Sequence, residues 1–502
     1  MKWRSRSSYL RLSSVALAGL LCGCKFGPDY KRPQVDAPKE FRGPTTKSAS
    51  PSATQPSFGD IAWWDAFQDP VLQELIRTTL KNNYNLQIAV ARVQQASAQR
   101  QQVASQLAPQ VGYNTTAAKG RDSTLGSPRP PTEVNVPKVG TVQGNAYNES
   151  YLALLSVAWE VDLWGRIRRQ TESAEAQEQA FEESRRDIGV SLISNVALTY
   201  FQLIELDREL QIAKSSVDGF QQSLNLFKQK YDAGASSLLD VNRAEATLES
   251  AAAQVPQIEL QIVLKEDQLC VLLGENPKPI LHKAGLDSVV APEIPIGLPS
   301  NLLERRPDIR QAEQQIRAAN AQVGVAIAEF FPKIGLSAFY GGASTDLSEL
   351  TSRSNVTHSL TADISGPIFT GGGLVANKRQ AESIWRQAVL QYQQTALTAF
   401  REVADALNSR QKFGEAIVRQ KRATDVAQQS VTLAVDRYQN GKSSYTEVLD
   451  AQTQLYSAQS DLAKLQFNQL SAFVQLYAAL GGGWSATDKP IPTTLPTTQA
   501  AQ

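Results

Sequence analysis

The sequence predicts a mainly α protein with β: a long antiparallel α-helical coiled-coil barrel continuous with a transmembrane β-barrel, four strands per chain, in two internal repeats. Three observations predict it. A heptad pattern runs unbroken for an unusual length, segments of about ten residues alternate in polarity, and motifs recur at fixed offsets.

The amino terminus reads as an address. Lys2, Arg4, Arg6 and Arg11 precede a short apolar run over residues 12–21, the order of a secretory signal. About ten apolar residues fall short of the roughly 20 that a spanning helix needs. The run ends Leu21-Cys22-Gly23-Cys24, which resembles a bacterial lipoprotein box. Cleavage before Cys24 would leave that cysteine as the N-terminus, with lipid on its sulfur and amine. Such chains anchor firmly, since each buried methylene contributes about 0.8 kcal/mol. A plain signal peptide with incidental cysteines is the alternative, and the polar, Pro-containing stretch after Cys24 favours the tether. Lys25, rather than Asp, beside the lipid site suggests the outer membrane under the sorting rule for such lipoproteins. Loss of residues 1–23 removes four positive charges, leaving 46 basic against 49 acidic residues and shifting the net charge from +1 to −3. Cys22 leaves with the signal, so Cys270 has no disulfide partner and packing must stabilise the fold.

A duplication organises the rest. Tyr231-Asp-Ala-Gly234-Ala-Ser236-Ser237 recurs as Tyr438-Gln-Asn-Gly441-Lys-Ser443-Ser444, an offset of 207 that also relates Val241 to Val448 and Leu248 to Leu455. Upstream, Pro109-Gln-Val111-Gly112 matches Pro332-Lys-Ile334-Gly335 at an offset of 223, so the first copy holds 16 extra residues between these blocks. Each copy is far longer than a solenoid unit.

Inside each copy the period is helical. Leu192, Val196, Thr199, Leu203, Leu206, Leu210, Ala213, Val217, Phe220, Leu224, Phe227 and Tyr231 alternate steps of four and three, an a/d seam of coiled-coil type. The second copy repeats the phase from Trp385 to Tyr438, interrupted at Arg410 and Gln420. Partner seams start at Val241 and Val448, so each copy holds a helical hairpin turning at Gly234 or Gly441, where the chain leaves the helix in a left-handed conformation. Pro256 lies inside one seam and predicts a kink. The pattern from Arg166 to Tyr231 predicts a helix on the order of 100 Å. A rod of that length in an exported lipoprotein can span the periplasm.

The strands have period two. In residues 150–161, larger apolar or aromatic groups occupy odd positions, and residues 334–340 and 360–365 behave similarly. With residues 111–119 these make four strands in two hairpins, one per copy. Alternation of this kind marks a membrane barrel with one face to lipid and one to water, although a soluble sheet with one buried face fits each strand alone. Four strands cannot close around a channel, so several chains are implied; three give twelve strands. Residues 120–149 and 341–357 read as loops at the barrel's outer end.

Composition excludes several functions. The near-zero charge lacks the basic excess that neutralises nucleic-acid phosphates. Two His and three scattered Cys disfavour a His/Cys metal centre, and no Gly-rich phosphate loop, Gly-x-Ser-x-Gly or His-Glu-x-x-His occurs. No catalytic residues, no metal ligands and no cofactor are expected beyond the covalent lipid on Cys24.

With these parts in place, the chain resembles outer-membrane efflux lipoproteins of the TolC/NodT type, the exit ducts of tripartite pumps. The resemblance rests on residues 24–33 (Cys-Lys-Phe-Gly-Pro-Asp-Tyr-Lys-Arg-Pro), 63–70 (Trp-Trp-Asp-Ala-Phe-Gln-Asp-Pro), 366–372 (Gly-Pro-Ile-Phe-Thr-Gly-Gly) and both Tyr-x-x-Gly turns. Its most specific run is residues 298–310, Leu-Pro-Ser-Asn-Leu-Leu-Glu-Arg-Arg-Pro-Asp-Ile-Arg. The resemblance implies a homotrimer with a twelve-stranded barrel, a twelve-helix periplasmic tunnel and a mixed equatorial belt. The resulting division is signal 1–23, lipidated tether and equatorial segment 24–70, first repeat 71–276, equatorial linker 277–311, second repeat 312–483 and tail 484–502.

The expected function is passive conduction of drugs or other toxic compounds from periplasm to exterior, driven by an inner-membrane pump through a periplasmic adaptor. The resemblance places adaptor docking at Tyr231, Gly234, Ser236, Ser237, Asp240, Tyr438, Gly441, Ser443, Ser444 and Glu447, residues that are also simply good helix-hairpin turns. Asp425 and Asp436, 11 residues apart on one helical stripe, could form rings of acids in a trimer that bridge to Arg437 or Arg422 of a neighbour; solvated surface acids are the plainer reading. Type I protein secretion and metal efflux remain alternatives within the channel class. A lipid-anchored periplasmic coiled-coil scaffold is the alternative outside it.

Overall fold

The computed structural model describes residues 25–38, 41–42, 69–121, 147–282, 285 and 299–482. Cys24, the signal, most of the equatorial segments and the tail lie outside the described residues.

The elements are α1 (Pro70–Asn82), α2 (Tyr84–Ser105), β1 (Gln110–Arg121), β2 (Tyr147–Val161), α3 (Arg166–Asp232), α4 (Leu238–Ala252) and α5 (Gln254–Leu273). They continue as α6 (Pro299–Arg305), α7 (Pro307–Ala328), β3 (Lys333–Ser344), β4 (Val356–Ser365), α8 (Gly373–Gln439) and α9 (Tyr445–Ala479). The chain divides into two compact units: residues 1–32, 95–178 and 314–389 form one, and residues 33–94, 179–313 and 390–502 the other.

The sheet belongs to the first unit. Its order is β1-β2-β3-β4, antiparallel throughout, and the outer edges of β1 and β4 lack a partner among the described residues. The register pairs Val111 with Val157, Val157 with Ala338 and Ala338 with Leu360, so these four share one face. Tyr113, Leu155 and Tyr340 form the neighbouring row of that face. The opposite face carries Gly112, Asn114, Ser156, Ser337, Ser359 and Thr361. Val111 (67%), Tyr113 (84%), Leu360 (84%) and Ile364 (73%) stay exposed, an apolar face that no described element covers. The strands exceed the expected lengths: β3 runs on to Ser344, and the 341–357 segment contains two short 3-10 turns as well as the start of β4.

Helices fill the second unit. Asp69 caps α1, its carboxylate accepting from the Val71 and Leu72 amides at 2.8 and 3.3 Å while Pro70 supplies a fixed first turn. The same carboxylate accepts the Tyr200 hydroxyl at 2.9 Å. The core gathers Leu72, Ile76, Val196, Tyr200, Leu203, Leu269, Cys270, Val403, Val474 and Tyr477, all essentially buried. Val196, Leu203 and Val403 are a/d positions of the predicted seams, whereas Leu72 and Ile76 of α1, and Leu269, Cys270, Val474 and Tyr477 at the far ends of α5 and α9, lie outside them. One stretch of α3 is apolar enough to cross a membrane by length and composition, and most of it is buried in this protein.

Both long helices contain 67 residues, α8 running straight through Arg410 and Gln420. The partner of α3 is broken between α4 and α5 at Ala253, three residues before Pro256. Proline in the first turn of α5 removes a backbone donor that a continuous helix would need, so the break falls one turn upstream of it.

The Arg-rich run at residues 305–310 closes the same unit. Arg306 is buried; its guanidinium donates to both Asp308 carboxylate oxygens at 2.9 and 2.7 Å and, across to α9, to the Ala479 carbonyl at 3.1 Å. Arg310 pairs at 2.8 Å with Glu183, itself paired with Arg186.

Candidate functional site: turns, sheet face and amino-terminal segment

The two helical turns are built alike and capped differently. Gly234 and Gly441 both have φ of +69°, a left-handed conformation that disfavours any side chain. At the first turn the Ala235 amide donates to Lys230 O at 2.8 Å, and at the second the Lys442 amide donates to Arg437 O at 2.8 Å, the same closing hydrogen bond. Ser237 and Asp240 then form a capping box: the Asp240 amide donates to Ser237 Oγ at 3.2 Å, and the Ser237 amide donates to Asp240 Oδ2 at 3.3 Å. Hydrogen bonds from Ser237, with one from Ser236, hold the Asp240 carboxyl below its ordinary range. Ser444 begins α9 without a side-chain cap, and Glu447 lies 4.0 Å from Arg437.

The equivalent tyrosines part company. Tyr438 packs against Phe227 (5.5 Å between ring centroids) and lies beneath Lys230 Nζ at 3.7 Å, whereas Tyr231 is substantially exposed. Tyr445 completes the aromatic cluster with Phe227. Ser443 Oγ is buried and without a hydrogen-bond partner. Sequence reasoning passed over Leu238 and Leu239, 54% and 57% exposed directly after the first turn. Their signal was an apolar pair just ahead of the seam that starts at Val241.

Asp425, Asp436 and Arg437 are exposed on α8. Asp436 Oδ1 accepts from Asn440 Nδ2 at 3.2 Å, and Arg437 donates to Lys442 O at 3.2 Å, so both engage the turn of their own chain. No cluster of three or more metal-ligating side chains occurs among the described residues.

The start of the described chain is tightly held. Phe26, Trp164 and Phe331 form an aromatic trio with centroid separations of 4.7 to 5.8 Å. The buried Arg169 guanidinium donates to Phe26 O at 3.1 Å and Gly27 O at 3.3 Å, and pairs with Asp29 and Glu172 at 3.0 Å.

An apolar sheet face and two strand edges left open among the described residues, together with long helical hairpins, define a class of membrane-associated duct component. A family profile described as "Outer membrane efflux protein" matches residues 75–275 and 298–482. The toluene efflux pump outer membrane protein TtgF of Pseudomonas putida is 35% identical over 477 residues, covering 94% of this chain and 96% of that protein. The cation efflux system protein CusC of Escherichia coli is 33% identical over 472 residues, covering 94% and 97%. Among solved structures, the outer-membrane channel OprN superposes with a TM-score of 0.80 at 32% identity, over 92% of this chain and all of that one. The open-state MtrE channel of Neisseria gonorrhoeae gives 0.79 at 28% identity, over 92% and 98%. The chain belongs to the outer membrane efflux protein family. It is an outer-membrane channel component of an efflux pump, and its family is one of transport channels rather than enzymes.

Proposed function

We propose that three copies of this chain form a lipid-anchored duct that conducts small organic compounds passively from periplasm to exterior, coupled to an inner-membrane pump through a periplasmic adaptor. The observation that carries this reading is the four-stranded sheet with one apolar face and two edges that are unpaired among the described residues. In a bilayer every backbone polar group needs a partner, so an open sheet must close with further strands. Twelve strands from three copies make a barrel whose polar face, with Asn114, Ser156, Ser337 and Thr361, lines water.

The duplication supports a definite seam. The pair Val111↔Val157 recurs as Ile334↔Ile364, Ile334 lying 223 residues after Val111 and Ile364 207 after Val157, the two motif offsets, and α3 and α8 also start 207 residues apart. Carrying the β2–β3 pairing Leu155↔Tyr340 through these offsets sets Ala362 of one copy opposite Ala117 of the partner subunit.

Docking of the adaptor at the two turns, with Tyr231, Gly234, Ser236, Ser237, Asp240, Tyr438, Gly441, Ser443, Ser444 and Glu447, belongs to this reading, as does a gate at Asp425 and Asp436. Lipid on Cys24 belongs to it too. Relatives named for toluene, solvent and antibiotic efflux favour organic cargo, while one Met and two His offer little soft-ligand relay for copper or silver.

Deletion of the gene, followed by a susceptibility panel of toluene, antibiotics, copper and silver, tests the reading. Sensitisation to the organic compounds, reversed by the intact gene, is expected. Sensitisation to metals alone would move the cargo to cations, and an unchanged panel with impaired export of a secreted protein would favour type I secretion.

A further inference from the structure

Five consecutive residues near the start of the mature chain, 26–30, occupy individually fitted places in the sheet-bearing unit. Phe26 packs at a tilt against Trp164 and Phe331, which stack on each other, and its amide donates to Trp164 O at 3.4 Å. Gly27 has φ of +105°, and a Cβ there would come within 2.5 Å of Gly324 Cα, so two backbones touch at a place that admits only glycine. Pro28 O accepts from Asn320 Nδ2 at 2.8 Å, Asp29 pairs with Arg169, and the Tyr30 ring lies beneath Arg317 at 4.5 Å.

The seat is built for its occupant. Arg169 is among the largest fully buried side chains of the protein, and most of its hydrogen bonds go to the segment: two backbone carbonyls and Asp29. Without the segment that buried cation would keep only Glu172 among the partners described here, a costly arrangement. The seat also lies where the chain enters and leaves the sheet. Trp164 follows β2 by three residues and donates from Nε1 to Pro332 O, immediately before β3, at 2.7 Å. Lys25, next in sequence to Cys24, is tied to Glu172 at 3.3 Å.

We propose that residues 26–30 are an anchor clip, seating the lipid-bearing end of the chain at the foot of the sheet so that the acyl chains enter the membrane beside the strands. The inference rests on the reading of Cys24 as the lipid site. A free tether would let the lipid wander on a flexible linker; a seated one makes lipid insertion and strand insertion a single local event. The lipid then acts with the effective concentration of a short rigid connection.

The test uses the full chain expressed in its Gram-negative host, in two backgrounds. One is the natural precursor; in the other, residues 1–24 are replaced by a cleavable signal ending before Lys25, which leaves the mature chain without lipid. Gly27→Ala ejects the clip while leaving every helix residue in place, and Asn320→Ala removes one fastening. In the lipidated background, Gly27→Ala is expected to keep palmitate labelling and helical content. It should speed tryptic cleavage at Lys25 and Lys31 about tenfold and lower assembled outer-membrane protein at least threefold, with Asn320→Ala in between. In the unlipidated background the same substitutions should bring no further fall in assembly. Equal falls in both backgrounds would overturn the proposal, leaving the clip as packing alone, as would faster cleavage with undiminished assembly or equal assembly of the two unsubstituted forms. Absence of label on the natural chain would instead overturn the lipid reading beneath it.

Discussion

Arg306 Nη1 donates to Glu402 Oε2 at 2.7 Å, joining the α6–α7 junction to the middle of α8. The same nitrogen donates to Ala479 O, where α9 ends, so one guanidinium holds three segments that are distant in sequence. Asp308 and Glu402 are themselves partly exposed, so loss of their shared cation leaves charges that water can reach, and the cost is that of charge-assisted hydrogen bonds, about 1.5–3 kcal/mol. We expect Arg306→Ala to lower thermal stability by that order, and Arg306→Lys to recover only part of it, because an ammonium lacks the planar fork that engages Asp308 twice. Thermal denaturation of the detergent-solubilised protein checks both.

Acid should stabilise the helical unit. Burial, then the charge of nearby Glu209, raises the Glu205 carboxyl to about 7, against the relief offered by Lys464; burial, then Asp308, raises Asp187 to about 6. A carboxylate whose folded value exceeds its unfolded one binds its proton more tightly when folded, so stability falls as pH rises from the unfolded value through the folded one. His282 is raised mainly by its hydrogen bond to Asp207 and acts in the same direction, its contribution being lost as pH rises through its folded value. We expect a higher Tm at pH 5.5 than at pH 8, and a smaller difference in Glu205→Gln. A Tm that rises toward pH 8 would contradict this.

The seam between copies can be read by oxidation. A chain carrying Ala117→Cys and Ala362→Cys should link covalently into higher species on a non-reducing gel. A chain carrying Ala117→Cys and Leu360→Cys, shifted by two residues, should not. Within one chain β1 and β4 are three strand spacings apart, roughly 14 Å, beyond the reach of a disulfide. Linking only in the shifted chain would place the seam in another register.

The turns should respond unequally. Ser237→Ala removes a capping hydrogen bond and should cost about 1 kcal/mol, whereas Ser444 makes no side-chain cap, so Ser444→Ala should cost a few tenths. Hydrogen exchange of the first turns of α4 and α9 would register the difference.

Conductance tests the acidic pair on α8. If Asp436 helps narrow the duct, Asp436→Ala should raise single-channel conductance in planar bilayers; equal conductance in the single and double variants with Asp425→Ala would remove the pair from the gate.

Most of the architecture was legible because its periods are strong. Leu192 to Tyr231 follows a 3.5-residue repeat that only a helix satisfies, and α3 ends within one residue of the expected place. Strand ends were harder. The small residues Gly341 to Ser344 carry no alternation, yet β3 continues through them because β2 offers a ladder from Leu154 back to Tyr151. At the turns, local chemistry identified Gly234 and Gly441 correctly. It could not separate Tyr231 from Tyr438, whose surroundings depend on Phe227 and Lys230 placed by another part of the fold. The places of residues 26–30 were equally hidden: Arg169, at the start of a charged helical stretch, gives no sign in sequence that it is buried.

The matched lengths of α3 and α8 restrict how this gene can change. Deleting one residue from the middle of either helix would rotate everything beyond it by about 100° and draw it back about 1.5 Å, turning a buried seam toward solvent. Loss of seven residues keeps the rotational phase but shortens one helix by roughly 10 Å and leaves the other unchanged. Length variation in this pair should therefore be tolerated only in whole heptads and only in both halves together, an indel rule that libraries of paired and unpaired deletions can read directly.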